Sequence, residues 1–397
     1  MNTRDFKCLT FLPLSYNGRG PAETCMQIVR HFPTQGLSST VFVPRLTKEP
    51  PAGVVAQQSL PPPLRYLPWK YVREFATDWT ERSFRRAIGH ADPASTVLTF
   101  WPDPSPGLLR HSKERGFILV REMINSACAM SRAILEDAYA RQGLPPVHQV
   151  TEEKVSLENE ELALYDFIVA PSSEVERSLI GLGIPQDRIL QSSFGWHPDR
   201  FDASVPEPRT DDRLRFLFVG SIGVRKGIPE LIQAWEQLAL DAELILVGNV
   251  EPGFADRFAR GLPANVRHVP FTPDVGRFYK GSDVFVFPSH EEGAPQVVYE
   301  AAGCGLPVIT TPMGLARIVE HERNGLVIPP GDVGALIAAI QRIVDDVGLR
   351  RALGDQARHS ARRFTYRAVG EERAGLLLQL LAERGRLAVP AAAGMGG

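Results

Sequence analysis

The segment Leu214–Trp235, LRFLFVGSIGVRKGIPELIQAW, holds a strand, a glycine loop and a helix in one continuous run. Its first six residues are apolar except for Arg215, as in a strand covered by helices on both faces. Gly220 and Gly223 let the chain turn tightly, Arg225 and Lys226 follow, and Gly227 with Pro229 opens GIPELIQAW at helical spacing. A strand feeding a helix in this way predicts a βαβ repeat, hence a parallel sheet with right-handed crossovers.

Outward from this segment the same alternation recurs nearly end to end. Strands are expected at Phe6–Leu12, Thr40–Val43, Thr96–Trp101, Phe117–Val120, Asp166–Ala170 and Arg188–Ser192. A second set is expected at Leu214–Val219, Ala242–Val247, Val266–Val269, Asp283–Phe287, Pro307–Thr310 and Gly325–Ile328. The two sets are parted by residues 195–213, GWHPDRFDASVPEPRTDDR, which are rich in Pro, Asp and Arg and have no apolar periodicity. The chain therefore reads as α/β, with two doubly wound Rossmann-like domains, 1–195 and 196–365, facing a central cleft. A helix over 366–386 is free to pack back on the first domain, and the small-residue tail 387–397 is expected to be disordered.

The 397 residues carry 44 Lys+Arg against 46 Asp+Glu, a formal net charge of −2, so no nucleic-acid partner is expected. With 44% hydrophobic residues, general disorder is excluded. No apolar run reaches the roughly 18 residues of a membrane span. The start, MNTRDFKCLTFLPLSYNGRG, reads as a strand and loop rather than a leader, which predicts a cytoplasmic protein. Cys8, Cys25, Cys128 and Cys304 form no CxxC pair, so reduced structural thiols are expected.

Two constellations could carry chemistry. In Gly220-Ser221-Ile222-Gly223-Val224-Arg225-Lys226, a glycine loop at a helix start with two cations suits an anion. The spacing is neither a Walker loop nor GxGxxG, and the bland alternative is a βα turn with two solvated cations. The second is Phe285–Pro312, FVFPSHEEGAPQVVYEAAGCGLPVITTP. Here Glu292 lies in the loop at a strand's carboxyl end, where the following helix favours negative charge. Glu300 lies about two turns into that helix. Val297, Val298, Ala301 and Ala302 around it argue against a solvated face, and its carboxylate could accept two hydrogen bonds from a diol.

At these residues the chain resembles the retaining glycosyltransferases of family GT4, glycosyl transferases group 1, which have the GT-B fold. That family carries E-G-F-G-x4-E-A-M-A-x-G-x-P-V-I after a strand ending in P-S; here the run is Glu292-Gly-Ala-Pro-Gln-Val-Val-Tyr-Glu300, then AAGCGLPVI. The family's V-G-R-x4-K-G is V-G-S-I-G-V-R-K-G here, ending at Lys226 and Gly227. The resemblance covers most of 160–385. It implies a nucleoside diphosphate sugar as co-substrate, retention at the anomeric carbon, and no metal or other cofactor. It assigns Lys226 to the donor diphosphate, Glu300 to the ribose hydroxyls and Glu292 to the donor sugar. Ser221 replaces a family arginine, for which Arg225 would stand in. Gly220, Gly293, Ala294, Pro295, Gln296 and Val297 complete the donor side, although Ala294 lacks the family's aromatic ring and Pro295 has no N–H. On the acceptor side the resemblance points to the loop Gly18-Arg19-Gly20. Glu122 and Asn125 stand where many members have a histidine. His197 replaces the family aspartate near the hinge and reads as structural.

The expected reaction is transfer of a hexose to a glycan, glycolipid or small-molecule hydroxyl, in polysaccharide or glycoconjugate biosynthesis. Two alternatives stay open: a GT-B protein that binds the nucleotide sugar without turning it over, and a sugar-nucleotide epimerase acting on the donor alone. The basic, aromatic segment 64–90 fits either an anionic membrane, which would suit a lipid-linked acceptor at its inner face, or a helix packing its aromatics on the first sheet.

Overall fold

The computed structural model describes residues 5–102, 104–258 and 261–387; the expected disordered tail lies outside these except for Leu387. Strands β1 (Phe6–Phe11), β2 (Leu37–Val43), β3 (Val55–Gln58), β4 (Thr96–Phe100), β5 (Ile118–Glu122), β6 (Phe167–Ala170) and β7 (Ile189–Gln191) form one sheet. Its order is β3-β2-β1-β4-β5-β6-β7. Strands β8 (Leu214–Val219), β9 (Ala242–Val247), β10 (Val266–Val269), β11 (Val284–Phe287), β12 (Val308–Thr310) and β13 (Gly325–Val327) form the other, in the order β10-β9-β8-β11-β12-β13. Every ladder in both sheets is parallel. The runs that read as doubly covered are so: Phe216, Leu217, Phe218, Leu244, Leu246, Val284, Phe285 and Val286 are fully buried.

One strand was not legible. β3, Val-Ala-Gln-Gln, is an edge strand whose residues alternate exposed and half-buried, so it lacks the apolar run that marks its neighbours.

In both sheets the strand order reverses once, between β1 and β4 and between β8 and β11, and ligands of open α/β sheets bind at such switch points. The two points differ. The β1–β4 ladder runs to Phe11 and Phe100, and Trp101 N–H continues it by donating to Phe11 C=O at 3.0 Å. The β8–β11 ladder pairs only Phe216–Leu217 with Val284–Phe285, and beyond it the rings of Phe218 and Phe287 stack with centroids 5.7 Å apart.

The chain passes between the halves side by side at two places. Trp196 N–H donates to Phe364 C=O at 3.0 Å, and Tyr366 N–H donates to Trp196 C=O at 3.1 Å. Beyond this lacing the helix Tyr366–Leu387 packs on the helix Gly20–Val29 of the first half. The helix Trp69–Gly89 buries Val72, Ala76, Phe84 and Ile88 against the first sheet, with Phe84 edge-on to Phe11, Phe42 and Phe100. Tyr66, Leu67 and Tyr71 remain exposed at its start.

Candidate functional site

The carboxyl ends of β8 and β11 lead into two loops that approach closely. Gly227 has φ +70, and a Cβ there would lie 2.1 Å from Pro288 C=O, so only glycine lets the loops meet while starting the helix Ile228–Leu238. Arg225 C=O accepts from His290 N–H at 2.9 Å and from Ser289 Oγ at 3.1 Å, which fixes one loop on the other.

This places four charges together. The Lys226 amine, 7% exposed, is ion-paired with Glu292, whose Oε1 also accepts from Ser289 Oγ at 2.8 Å. Arg225 Nη1 lies 3.2 Å from Glu291 Oε2 and 3.9 Å from Glu292 Oε1. Burial alone would raise the Glu292 carboxyl; Lys226 and Arg225 more than offset it and hold it below the usual range. Two cations and two carboxylates thus stand together beyond the carboxyl ends of β8 and β11, shortly before the helix Gln296–Gly303.

The first half closes over this cluster. Ser126 Oγ donates to Glu291 Oε1 at 2.9 Å, and a Cβ on Gly293 would lie 1.7 Å from Ile124 C=O. A gap of about 170 Å3 remains between Gly20, Pro21 and Thr24 on one side, Ile124, Asn125 and Phe194 behind, and Glu292, Gly293, Ala294 and Gln296 opposite. Gln296 Nε2 donates to Thr24 Oγ1 at 2.6 Å and to Tyr366 Oη, tying the helix start to the first half.

Glu300 lies apart from the cation cluster, in contact with other groups. Its Oε2 accepts from Tyr279 Oη at 3.1 Å, and Oε1 is 3.6 Å from Arg200 Nη1. Burial pushes its carboxyl above the usual range, opposed by Arg200 and Tyr279. Val297 C=O accepts from Tyr279 Oη at 3.3 Å. Gly220 ends β8 with its N–H bonded to Val247 C=O at 3.0 Å, and Ser221 Oγ donates to Glu251 Oε1 at 2.9 Å. Pro295 is the cap residue of the 296–303 helix.

On the acceptor side, Gly20 and Asn125 line the gap. Gly18 abuts the Lys48 side chain. Arg19 crosses the cleft and stacks 4.9 Å over the ring of Phe271, which is exposed in the loop after β10. Glu122 requires a correction: it does not face the cleft. It is buried and ion-paired with Arg373 of the C-terminal helix, which also donates to Ser192 Oγ at 3.1 Å. Successive residues of a strand alternate faces, and Glu122, the last of β5, falls on the face covered by the C-terminal helix. His197 sits edge-on to Tyr366.

Sequence reasoning missed Glu291, Ser126, Arg200, Tyr279 and Arg373. Glu291 is adjacent to Glu292 and invited attention as a charge pair; the others act through contacts distant in sequence. A larger cavity, about 640 Å3, lies at the amino ends of β5 and β6 beside Lys113, Arg188 and Leu380, far from the strand ends where parallel sheets bind ligands. No helix among the described residues is long and apolar enough to cross a membrane.

Residues 213–346 match the family described as glycosyl transferases group 1, the family expected from the two motifs. The capsular polysaccharide biosynthesis glycosyltransferase CapM of Staphylococcus aureus is 30% identical over 171 residues, 41% of this chain and 45% of its own. A D-inositol 3-phosphate glycosyltransferase of Xylanimonas cellulosilytica is 29% identical over 258 residues, 57% of this chain and 59% of its own. The chain spans about half the length of the curated relatives it matches. A sucrose-phosphate synthase from Thermosynechococcus elongatus superposes with TM-score 0.74 at 22% identity, over 95% of this chain and 100% of that one. Anabaena HepE, solved in complex with UDP and glucose, superposes with TM-score 0.64 at 17% identity, over 94% and 100%. The shared fold is GT-B, as expected.

Proposed function

We propose that the chain, whose residues 213–346 match glycosyl transferases group 1, is a retaining glycosyltransferase moving a hexose from a nucleoside diphosphate sugar to a hydroxyl acceptor in polysaccharide or glycoconjugate biosynthesis. The observation that carries this reading is the pair of cations, Arg225 and Lys226, in the loop at the β8–β11 switch point. HepE, which shares the fold, is described with UDP and glucose, which favours a nucleotide-sugar donor.

In the reaction, the bond from the anomeric carbon to the diphosphate oxygen breaks and that oxygen gains charge. Arg225, Lys226 and the start of the 296–303 helix stabilise this charge as it develops, where such groups are worth most. The acceptor oxygen attacks from the same face, and its proton passes to the departing diphosphate. Glu292 counters Lys226 before the donor arrives and then orients the sugar. Glu300 accepts from the ribose hydroxyls. Closing the first half onto Gly293 excludes water and suppresses hydrolysis. Two cations supply the charge that a metal would otherwise supply, so turnover in EDTA is expected to equal turnover without it.

The test is thermal stabilisation by UDP, GDP and ADP and their sugars, with wild type and Glu300→Ala in parallel. A ligand at 100 times its Kd adds about 2.7 kcal/mol. A shift with one base, lost in the variant, supports the site, and proton NMR of the product's anomeric centre tests retention. Stabilisation by a nucleotide sugar without turnover would favour a binding protein instead. The exposed Tyr66 and Tyr71, beside Lys70 and Arg73, further support contact with the inner face of an anionic membrane; failure to float with phosphatidylglycerol vesicles would remove that part.

A further inference from the structure

The helix Cys128–Arg141 of the first half is bonded to the second half beside both of its ends. Just before it, Ser126 Oγ donates to Glu291 Oε1. Just after it, the cap residue Gln142 donates through Nε2 to Glu230 Oε1 at 2.9 Å. The helix has 14 residues. At 1.5 Å per residue, about 21 Å of helix separates these anchors. One anchor leaves a helix free to pivot, whereas two so far apart fix its direction. Between them the helix is not packed tight: Leu135 and Tyr139 face Arg225, Glu251 and Pro252 across a cavity of about 380 Å3. Apolar contact is interrupted midway, and the polar ends carry the seating.

Glu230 does more than meet Gln142. It lies in the first turn of the helix Ile228–Leu238 and is 5% exposed, and its Oε1 also accepts from His290 Nε2 at 3.2 Å. His290 is itself buried, donates its N–H to Arg225 C=O, and is followed directly by Glu291 and Glu292. Burial would raise the Glu230 carboxyl; bonds led by that from His290, with Gln142 among them, more than offset it and hold it below the usual range. The group is therefore ionised at neutral pH, and a buried carboxylate depends on each donor that answers it. Its Oε2 has no hydrogen-bond partner among the described residues, while both side-chain donors arrive at Oε1. Withdrawing Gln142 thus disturbs the same carboxylate that holds His290.

We propose that Glu230 is a positioning residue, which couples the seating of the helix Cys128–Arg141 to the placement of the loop 288–293 by sharing one carboxylate oxygen between Gln142 and His290. The consequence for turnover rests on the glycosyl-transfer reading. Glu230 touches none of the reacting atoms; it acts through His290 on Arg225 C=O, Glu291 and Glu292, so that these meet the donor in one arrangement when the first half is seated.

The test exchanges the two side chains. Gln142→Glu sets two carboxylates against each other at a half-buried turn. Adding Glu230→Gln restores an amide–carboxylate bond with its partners reversed and leaves an oxygen for His290. The full chain is assayed with UDP-glucose, GDP-mannose and ADP-glucose by release of nucleoside diphosphate, with p-nitrophenyl glycosides as acceptor probes. Hydrogen exchange of the 289–293 amides is followed without substrate. Gln142→Glu should lower kcat about 100-fold, as misplacement does, with the donor KM and the nucleotide's thermal shift at wild-type size. Exchange in the loop should quicken at least about fivefold. The double variant should return both to within about threefold of wild type. Wild-type exchange and kcat in Gln142→Glu, or a double variant no better than the single one, would overturn the coupling. Faster exchange with unchanged kcat would leave Glu230 a contact for stability alone and overturn it as well. If wild type turns over none of the nucleotide sugars, yet exchange quickens in Gln142→Glu and is restored by the swap, the glycosyl-transfer reading fails while the seating contact stands; without that response both fail.

Discussion

The two halves repeat one topology and use it differently. At the first switch point the β1–β4 ladder is zipped to its end and capped by Trp101, which stacks on Phe194. At the second, the β8–β11 ladder stops short, and the loops beyond it bring Arg225, Lys226, Glu291 and Glu292 together. Both halves also hold buried ion pairs. Glu122–Arg373, which ties the first half to the C-terminal helix, is buried and lines neither the gap nor a cavity described above, whereas Glu292 of the Lys226–Glu292 pair lines the gap. Strand order tells where a site can form; the residues on the loops beyond the strands decide what stands there.

This contrast can be broken at several points. Glu122→Ala leaves Arg373 fully buried without its carboxylate, so denaturant unfolding should lose about 3–5 kcal/mol while nucleotide binding persists. A lost nucleotide shift in the folded variant would make Glu122 part of the site after all. Lys226→Ala should lower kcat by about 10²–10³, or roughly 3–4 kcal/mol, at saturating donor. A change in KM alone would reduce Lys226 to a ground-state contact. Gly293→Val pushes a side chain into Ile124 C=O and should cost about 10²-fold in turnover through misplacement of the halves. Full activity would show that the reaction does not need this approach.

The smallest effect concerns pH. Glu300 must be ionised to accept two hydrogen bonds, and burial raises its pKa. Nucleotide affinity should therefore be full at neutral pH and fall, as pH drops, sooner than an ordinary glutamate would allow. The Glu300→Gln variant should bind about 1.5–3 kcal/mol more weakly at neutral pH and show no such dependence. Titrating Kd against pH for both proteins checks the sign.

The second half was legible because its chemistry is local. Strand, glycine turn, cations and helix follow one another in Leu214–Trp235, and the two glutamates share one loop and helix in Phe285–Pro312. The first half was not. Glu122 sits at a strand end as expected, yet its fate depends on Arg373, 251 positions away, and no local pattern announces that. Ser126 and Glu291 stand 165 positions apart and meet only across the two halves. β3 escaped notice because an edge strand needs no apolar run.

The lacing of Trp196 to Phe364 and Tyr366 has a mechanical consequence. A single tether would let one half swivel on the other in any direction. Two strands stitched side by side behave as a strap, which bends about one axis and resists torsion. The strap also outlives a cut: cleavage in the exposed stretch after Ala203 would leave two polypeptides clasped by the helix Tyr366–Leu387, eluting together as one particle.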